Sequence, residues 1–288
     1  MAGSTRPSAS TSASAPRDPL LKLLALLSAL GFLGVVAVNG LANALPLNGV
    51  GTGELSDELP ILFVPAGLTF AVWGLIYLLL SGYVAFVLAE AFGKRRGAAW
   101  ERGDGWLFAA NAAANIAWIF AWHWRDVTVA LALMAVILYT LIGLEERLLP
   151  RLEEGGSLAA APGDRKAQLR RFFLSVPVRV YLGWILVATI ANFTAFLVKG
   201  GWDGFGLDPR IWAVAVIGAA LALALYYALG RGAIATPLVV VWALAGIVIK
   251  RTSVDPAYSA PVWTAAAAAG LAILAAIAVE RLRSYRRP

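Results

Sequence analysis

Apolar runs of about twenty residues, separated by short polar segments, recur along the chain. A helix needs about 20 apolar residues to cross the hydrocarbon core of a bilayer. The pattern predicts eight spans, which run over Leu20–Leu41, Ile61–Phe92, Gly105–Trp122, Val127–Leu149, Phe172–Val198, Ile211–Leu229, Ala233–Ile249 and Pro261–Val279. The seventh span is short and contains Pro237, which is expected to interrupt it. We therefore predict an all-α polytopic membrane protein.

Basic residues are distributed unevenly between the segments that connect these spans. Of the 24 Lys and Arg residues, 18 fall in the alternate segments that include both termini, five fall in the other segments, and Arg179 lies inside a span. Lys and Arg concentrate on the cytoplasmic side of membrane proteins. The bias therefore favours eight spans with both termini in the cytoplasm, in a multi-pass protein of a bacterial plasma membrane.

Composition narrows the classes of function. The chain is 60% hydrophobic and 14% charged, against about 25% charged residues in a typical soluble domain. It has no cysteine, which excludes disulfides, thiolate nucleophiles and cysteine-ligated metals. The net charge of +7 is explained by membrane orientation rather than by nucleic-acid binding. We identify no metal site and no catalytic residue, and expect the lipid bilayer as a partner.

Three polar-aromatic patterns lie inside apolar spans, where lipid offers polar groups no hydrogen-bond partner. They are Pro65-x6-Val72-Trp73-Gly74-x2-Tyr77, Asn115-x2-Trp118, and Tyr181-Leu182-x-Trp184-x3-Ala188-Thr189-x2-Asn192. Trp73 and Tyr77 are four residues apart and share a helix face. The patterns indicate inward-facing surfaces around an aromatic cavity. The alternative is that the aromatic side chains only pack helices together.

These residues resemble the motifs of the TspO/MBR family, whose members are called tryptophan-rich sensory proteins or translocator proteins. The first pattern falls on the spacing of the family's second helix, the second on its third helix, and the last on its fifth. The resemblance covers roughly residues 20–198 and implies a five-helix membrane bundle. It also implies a tetrapyrrole such as porphyrin or heme, or a sterol-like molecule, as ligand, with no required cofactor, and a homodimer.

The resemblance and the shared helix faces predict a site for a flat, mainly apolar ligand among spans one, two, three and five. Stacking would supply most of the affinity, and a few hydrogen bonds would fix the orientation. The predicted ligand-binding residues are Asn39, Asn43, Pro65, Trp73, Tyr77, Asn115, Trp118, Tyr181, Trp184, Ala188 and Asn192. Asn39 and Asn43 are alternatively residues that hydrogen-bond between helices.

The chain departs from the family pattern in several places. Gly67 replaces a tryptophan of the family, and Ala71 and Val180 replace prolines. Three further spans follow Asn192. We therefore divide the chain into a tail of residues 1–19, expected to be disordered, a five-helix bundle over 20–198, and three additional helices over 199–288, where we find no functional signature.

Other features have two interpretations each. The segment Pro46–Pro60 contains glycines and acidic residues and is either a solvated turn or a lid over the cavity. His123, the only histidine, is assigned with its neighbouring tryptophans to the aromatic belt at the membrane interface, with heme ligation as the alternative. Arg179 either snorkels or pairs structurally, or it meets an acidic group of a ligand. The loop Glu145–Arg171 is expected to contain a flexible linker.

A membrane binding or sensory protein is the function that these observations favour. The alternative is a transporter or facilitator of small hydrophobic molecules, which Pro237 favours because broken helices mark transport sites. An enzyme that degrades bound porphyrin is a further alternative, disfavoured by Gly67. No span has Asp or Glu near its predicted centre, which argues against proton-coupled transport.

Overall fold

A computed structural model describes residues 18–93, 100–154 and 165–286. Every regular element in these ranges is helical: α1 Pro19–Ala44, α2 Thr52–Asp57, α3 Val72–Phe92, α4 Arg102–His123, α5 Val127–Glu154, α6 Arg165–Lys199, α7 Pro209–Leu225, α8 Ala235–Ser253 and α9 Ala260–Arg286. A 3₁₀ turn, Gly67–Ala71, leads into α3, and a π-helical turn, Tyr226–Gly230, follows α7. All of these helices except the short α2 correspond to the eight predicted spans.

Seven helices in the described part of the chain are long and apolar enough to cross a membrane. The prediction of a polytopic helical membrane protein is thereby confirmed. The predicted third span, α4, is the exception. It is 22 residues long, but its asparagines, tryptophans and terminal histidine lower its hydropathy. It packs between α1 and α5.

Five long helices form a closed ring, in the order α1, α4, α5, α6, α3 and back to α1. The last three helices attach to this ring through α6, which packs against α8, while α9 packs against both α8 and α7. Because α6 has neighbours on both sides, every residue from Val180 to Val187 is buried. A Cβ at Gly183 would lie 2.6 Å from the carbonyl oxygen of Thr236, so only glycine allows this approach of α6 to α8.

Apolar side chains point outward from the bundle. Leu30 and Leu33 of α1, Leu78 of α3 and Leu271 of α9 are each at least 60% exposed. In a soluble protein such a surface would aggregate or bind a partner. In a protein with seven membrane-length helices, these side chains contact the lipid bilayer.

Helices α1, α5 and α6 extend into segments that the sequence analysis assigned to a disordered tail and to a loop. Helix α1 begins at Pro19, within the tail expected to be disordered, because the Asp18 side chain accepts a hydrogen bond from Leu20 N at 3.1 Å and caps it. Residues 1–17 lie outside the described residues. In the predicted Glu145–Arg171 loop, α5 continues to Glu154 and α6 begins at Arg165. The predicted linker between them lies largely outside the described residues.

Pro237 does not interrupt α8. It is the third residue of the helix, where a missing backbone N–H costs no intrahelical hydrogen bond. The expectation of a broken seventh span was therefore wrong, and the support that it gave to a transport mechanism is removed.

Arg179 is paired inside the protein. Its Nε donates to Glu145 Oε1 at 2.9 Å, and the two side chains are 12% and 3% exposed. Glu145 lies near the end of the predicted fourth span, in α5. Of the interpretations open for Arg179, structural pairing is the one that the geometry supports.

Candidate functional site

The polar-aromatic patterns meet around a cavity near one end of the five-helix ring. The cavity volume is about 50 Å³. It is lined by Thr52, Ser56, Val64, Pro65, Phe70, Trp73, Trp118, Trp122, Met134, Trp184, Val187, Ala188, Ala191 and Asn192. The lining is mainly aromatic and aliphatic, which suits an apolar ligand.

One wall of the cavity is a cluster of rings from α3 and α6. The Trp73 ring stacks on Tyr77, with centroids 5.6 Å apart, and meets Trp184 edge to face at 6.4 Å. Trp184 also contacts Phe70 edge to face at 5.5 Å. The spacing of Trp73 and Tyr77 at i and i+4 therefore does place the two rings on one face.

The opposite wall is a pair of stacked tryptophans on α4. Trp118 and Trp122 lie 5.6 Å apart with nearly parallel planes. Trp118 Nε1 donates to Asn192 Oδ1 at 3.0 Å, which ties α4 to α6 across the cavity. Both donor and acceptor are buried, so each satisfies the other in a place that excludes water.

A chain of amide hydrogen bonds lies beside the cavity. Asn39 Nδ2 donates to Asn115 Oδ1 at 2.9 Å, and Asn115 Nδ2 donates to the Tyr181 hydroxyl at 2.7 Å. Three buried polar side chains on α1, α4 and α6 are joined in this way. The network fixes the rotation of these helices, because a rotated helix would leave an amide without a partner.

The segment 46–60 covers the cavity and is called the lid below. It contains α2, whose Thr52 and Ser56 line the cavity. Trp122 Nε1 donates to the carbonyl oxygen of Thr52 at 3.2 Å, and Asn48 Nδ2 donates to that of His123 at 2.9 Å. Of the two interpretations of this segment, the geometry supports the lid.

Two ion pairs connect the lid to the rest of the bundle. Glu58 accepts two hydrogen bonds from Arg125, at 2.7 Å from Nε and 2.6 Å from Nη2. Asp57 pairs with Lys250 of α8. The Arg125 guanidinium holds the pKa of the Glu58 carboxyl below its usual range. This contribution is therefore fully present at neutral pH and is lost as the pH falls through the lowered pKa.

Helix α8 supports the cavity wall from outside the ring. Ala66 N donates to the Gly246 carbonyl at 3.0 Å, and Trp242 Nε1 donates to the Thr69 carbonyl at 2.9 Å. These bonds hold the segment between Pro65 and Phe70, both of which line the cavity. No motif in the last three helices predicted this role.

Gly246→Ala is expected to destabilise the protein by about 1–3 kcal/mol, the usual cost of overpacking. The new Cβ would lie 2.0 Å from Thr69 Oγ1 and 2.9 Å from Pro65 Cβ. Unfolding in mixed detergent micelles, followed by circular dichroism, measures the change. Gly218→Ala is the matched control, since no atom lies within 4 Å of its new Cβ. Equal stability of the two variants would contradict the close packing.

The predicted ligand-binding residues fall into two groups. Those that line the cavity are Pro65, Trp73, Trp118, Trp184, Ala188 and Asn192. Tyr77 and Tyr181 contact the ring of Trp73 from outside the lining. Asn39 and Asn115 belong to the amide network, and Asn43 Nδ2 donates to the Asn39 carbonyl at 2.9 Å. Span one thus supports the site without lining it.

Sequence reasoning missed several lining residues, of which Trp122 is the most instructive. Trp122 and His123 were assigned to the interfacial belt, but they are 7% and 0% exposed. The signal was the spacing of four residues between Trp118 and Trp122, which places both on one face. His123 Nδ1 bonds to the Ile119 carbonyl at 2.8 Å, and no described residue partners its Nε2. His123 does not line the cavity.

No group of three or more His, Asp or Glu side chains in the described ranges is arranged to hold a metal ion. Of the acidic residues of the lid, Asp57 and Glu58 pair with basic side chains, and Glu54 accepts from the backbone N–H of Gly51. The cavity lining offers aromatic rings for stacking and the Asn192 amide for hydrogen bonding.

Comparison with protein families matches residues 25–279 to the family described as TSPO-like protein. The match runs through α7 and α8 and most of α9 as well as the five-helix ring. Comparison with curated proteins and with solved structures gives no match.

Proposed function

The chain belongs to the family of TSPO-like proteins, and on that premise we propose that it binds a flat hydrophobic molecule of the tetrapyrrole class in the aromatic cavity. The observation that carries the proposal is the meeting of all three polar-aromatic patterns around one covered cavity. Two aromatic walls, one from α3 with α6 and one on α4, face the same space. We propose binding or sensing rather than catalysis.

The chemistry of the walls matches such a ligand. Indole rings offer large apolar faces that stack on a conjugated plane. The Asn192 amide lines the cavity and is already oriented by Trp118. It would supply the directional hydrogen bond that positions a ring edge. The apolar remainder would contribute affinity through burial.

Binding requires the lid to open. Pockets that hold drug-sized ligands enclose about 300–1,000 Å³, far more than the cavity volume of about 50 Å³. The rings of Trp73 and Trp184 therefore occupy part of the space that a tetrapyrrole would need. Release of the two ion pairs of the lid, followed by separation of the rings, would create that space. The closed form is then the ligand-free state.

We expect the double variant Trp73→Leu/Trp184→Leu to bind protoporphyrin about tenfold or more weaker than the unmodified protein, because two stacking surfaces are lost. The protein would be purified in detergent and titrated with protoporphyrin. Binding would be followed by the visible absorption band of the porphyrin, which does not depend on how many tryptophans remain. Trp106→Leu is the matched control, since Trp106 is 57% exposed and distant from the cavity lining.

The outcomes separate three situations. Saturable binding that the double variant loses and the control keeps supports the proposal. Saturable binding that all variants share places the ligand elsewhere and overturns the cavity as its site. Unsaturable uptake by all variants indicates partition into the micelle and overturns tetrapyrrole binding, in which case counterflow in sealed vesicles would test transport.

A further inference from the structure

A second, larger cavity lies next to the aromatic one. Its volume is about 160 Å³, and it is lined by Leu55, Glu58, Leu59, Trp122, Arg125, Val127 and Lys199. Trp122 lines both cavities, so its indole ring belongs to both walls. We call the larger one the vestibule. Its position beneath the lid, next to the aromatic cavity, suits the entrance to the proposed site.

The vestibule differs from the aromatic cavity in its charge. Arg125 and Lys199 place two cations in its wall, and Glu58 is the carboxylate that faces them. Lys199 Nζ also donates to the carbonyl oxygen of Arg125. Asp126 is the next acidic group, and its carboxylate accepts from Val129 N at the start of α5. Without Glu58, the two cations of the vestibule would have no carboxylate within it.

Arg125 is held in an unusual backbone conformation. Its φ angle is +59°, in the left-handed region that costs a residue with a Cβ about 1–2 kcal/mol relative to glycine. Arg125 N donates to the carbonyl oxygen of Trp122 at 2.9 Å, which closes the turn. A glycine would fit this turn at lower cost. The guanidinium of Arg125 lies in the wall of the vestibule, where it pairs with Glu58.

We propose that Glu58 is a built-in substitute for the acid group of the ligand, and that a ligand carboxylate replaces it on Arg125, beside Lys199, when the lid opens. This inference rests on the proposed function and specifies its ligand class: a flat apolar body with a carboxylate arm at its edge. The body would enter the aromatic cavity past Trp122 while the arm stays in the vestibule. Arginine suits this role because its two N–H groups match the two oxygens of a carboxylate.

The exchange would couple binding to lid opening. While the lid is closed, Glu58 neutralises Arg125, so an uncharged ligand gains nothing from the vestibule. An anionic ligand regains the two hydrogen bonds that are lost when Glu58 leaves. Opening of the lid is thus least costly for a ligand that carries its own carboxylate, and the device selects for acids over their neutral analogues.

The test compares protoporphyrin with its dimethyl ester, which has the same ring but no charge. The measured quantity is the ratio of ester Kd to acid Kd in lipid nanodiscs, with protein-free nanodiscs as blank. Glu58→Gln is expected to tighten the binding of both compounds about tenfold and to leave their ratio unchanged, because each then opens the lid without breaking the ion pair to Arg125. Arg125→Gln is expected to lower the ratio to about one.

Asp57→Asn is the matched control for lid opening. It weakens the other ion pair of the lid, to Lys250, without freeing Arg125. It should shift the affinities of acid and ester together and leave their ratio unchanged. If Arg125→Gln leaves the ratio as it is in the unmodified protein, no ligand carboxylate replaces Glu58 on Arg125, and the inference is overturned while the proposed function stands. If neither compound binds saturably to any variant, the proposed function itself fails.

Discussion

Replacement of Arg179 by leucine is expected to cost about 3–5 kcal/mol of stability, the usual effect of breaking a buried ion pair. The substitution leaves Glu145, whose side chain is 3% exposed, without its cation. One of its oxygens, Oε2, already has no hydrogen-bond partner among the described residues. The measurement is unfolding in mixed detergent micelles, followed by circular dichroism.

The matched variants identify the cause of that loss. Glu145→Leu/Arg179→Leu removes both charges and is expected to lie within about 1 kcal/mol of the unmodified protein, because well-packed apolar residues replace buried pairs at little cost. Glu146→Ala removes an adjacent acidic residue that is 53% exposed and pairs with Arg231, and should cost less than about 1 kcal/mol. A double variant as unstable as Arg179→Leu would show that side-chain volume, not charge, stabilises this contact.

This pair also shows why the sequence predicted the fold better than its internal contacts. Hydropathy locates a helix along the chain, but it does not give the rotation or depth at which the helix packs. Arg179 and Glu145 are 34 positions apart and meet only because α5 and α6 are neighbours. Both are buried at the contact between the five-helix ring and the last three helices.

The parts of the candidate site that depend on residue spacing and motifs within single helices could be predicted from the sequence. Trp73 with Tyr77 and Trp118 with Asn192 each lie where the spacing and the motifs indicated. The support of the cavity wall by Gly246 was not predictable, because a glycine in an apolar helix carries no signal of what it contacts. Trp122 was missed for a different reason. Its place near a predicted interface suggested the aromatic belt, and burial beneath the lid depends on a segment with no clear periodicity.

The lid itself illustrates how an acidic segment can be misinterpreted. Its composition suggested a solvated turn as readily as a lid. In the fold, Asp57 and Glu58 are each opposite a cation, one from α8 and one from the turn between α4 and α5. These cations come from parts of the chain far from the lid, so only the packing of α8 against the ring brings Lys250 within reach.

Replacement of Asp104 by alanine is the second large effect that we expect, at about 3 kcal/mol. The Asp104 side chain is fully buried and accepts from Arg147 Nε at 3.0 Å, from Arg151 Nη2 at 2.7 Å and from the backbone N–H of Glu101 at 2.7 Å. It therefore caps α4 and joins it to α5 at once. Its loss removes the cap and leaves two arginines without their buried acceptor. Thermal unfolding in detergent measures the change.

Two milder variants and one binding measurement complete this test. Asp104→Asn keeps the shape but not the charge and should lose less stability, while Glu101→Gln, at a side chain that is 53% exposed, should lose least. Asp104 lies 18 residues before Trp122, or roughly 27 Å along α4 at 1.5 Å per residue. Protein that folds with Asp104→Asn should therefore bind protoporphyrin as the unmodified protein does. If the fully folded Asp104→Asn protein binds protoporphyrin much more weakly, the two ends of α4 are coupled. The cavity would then depend on the position of α4 as much as on the side chains that line it.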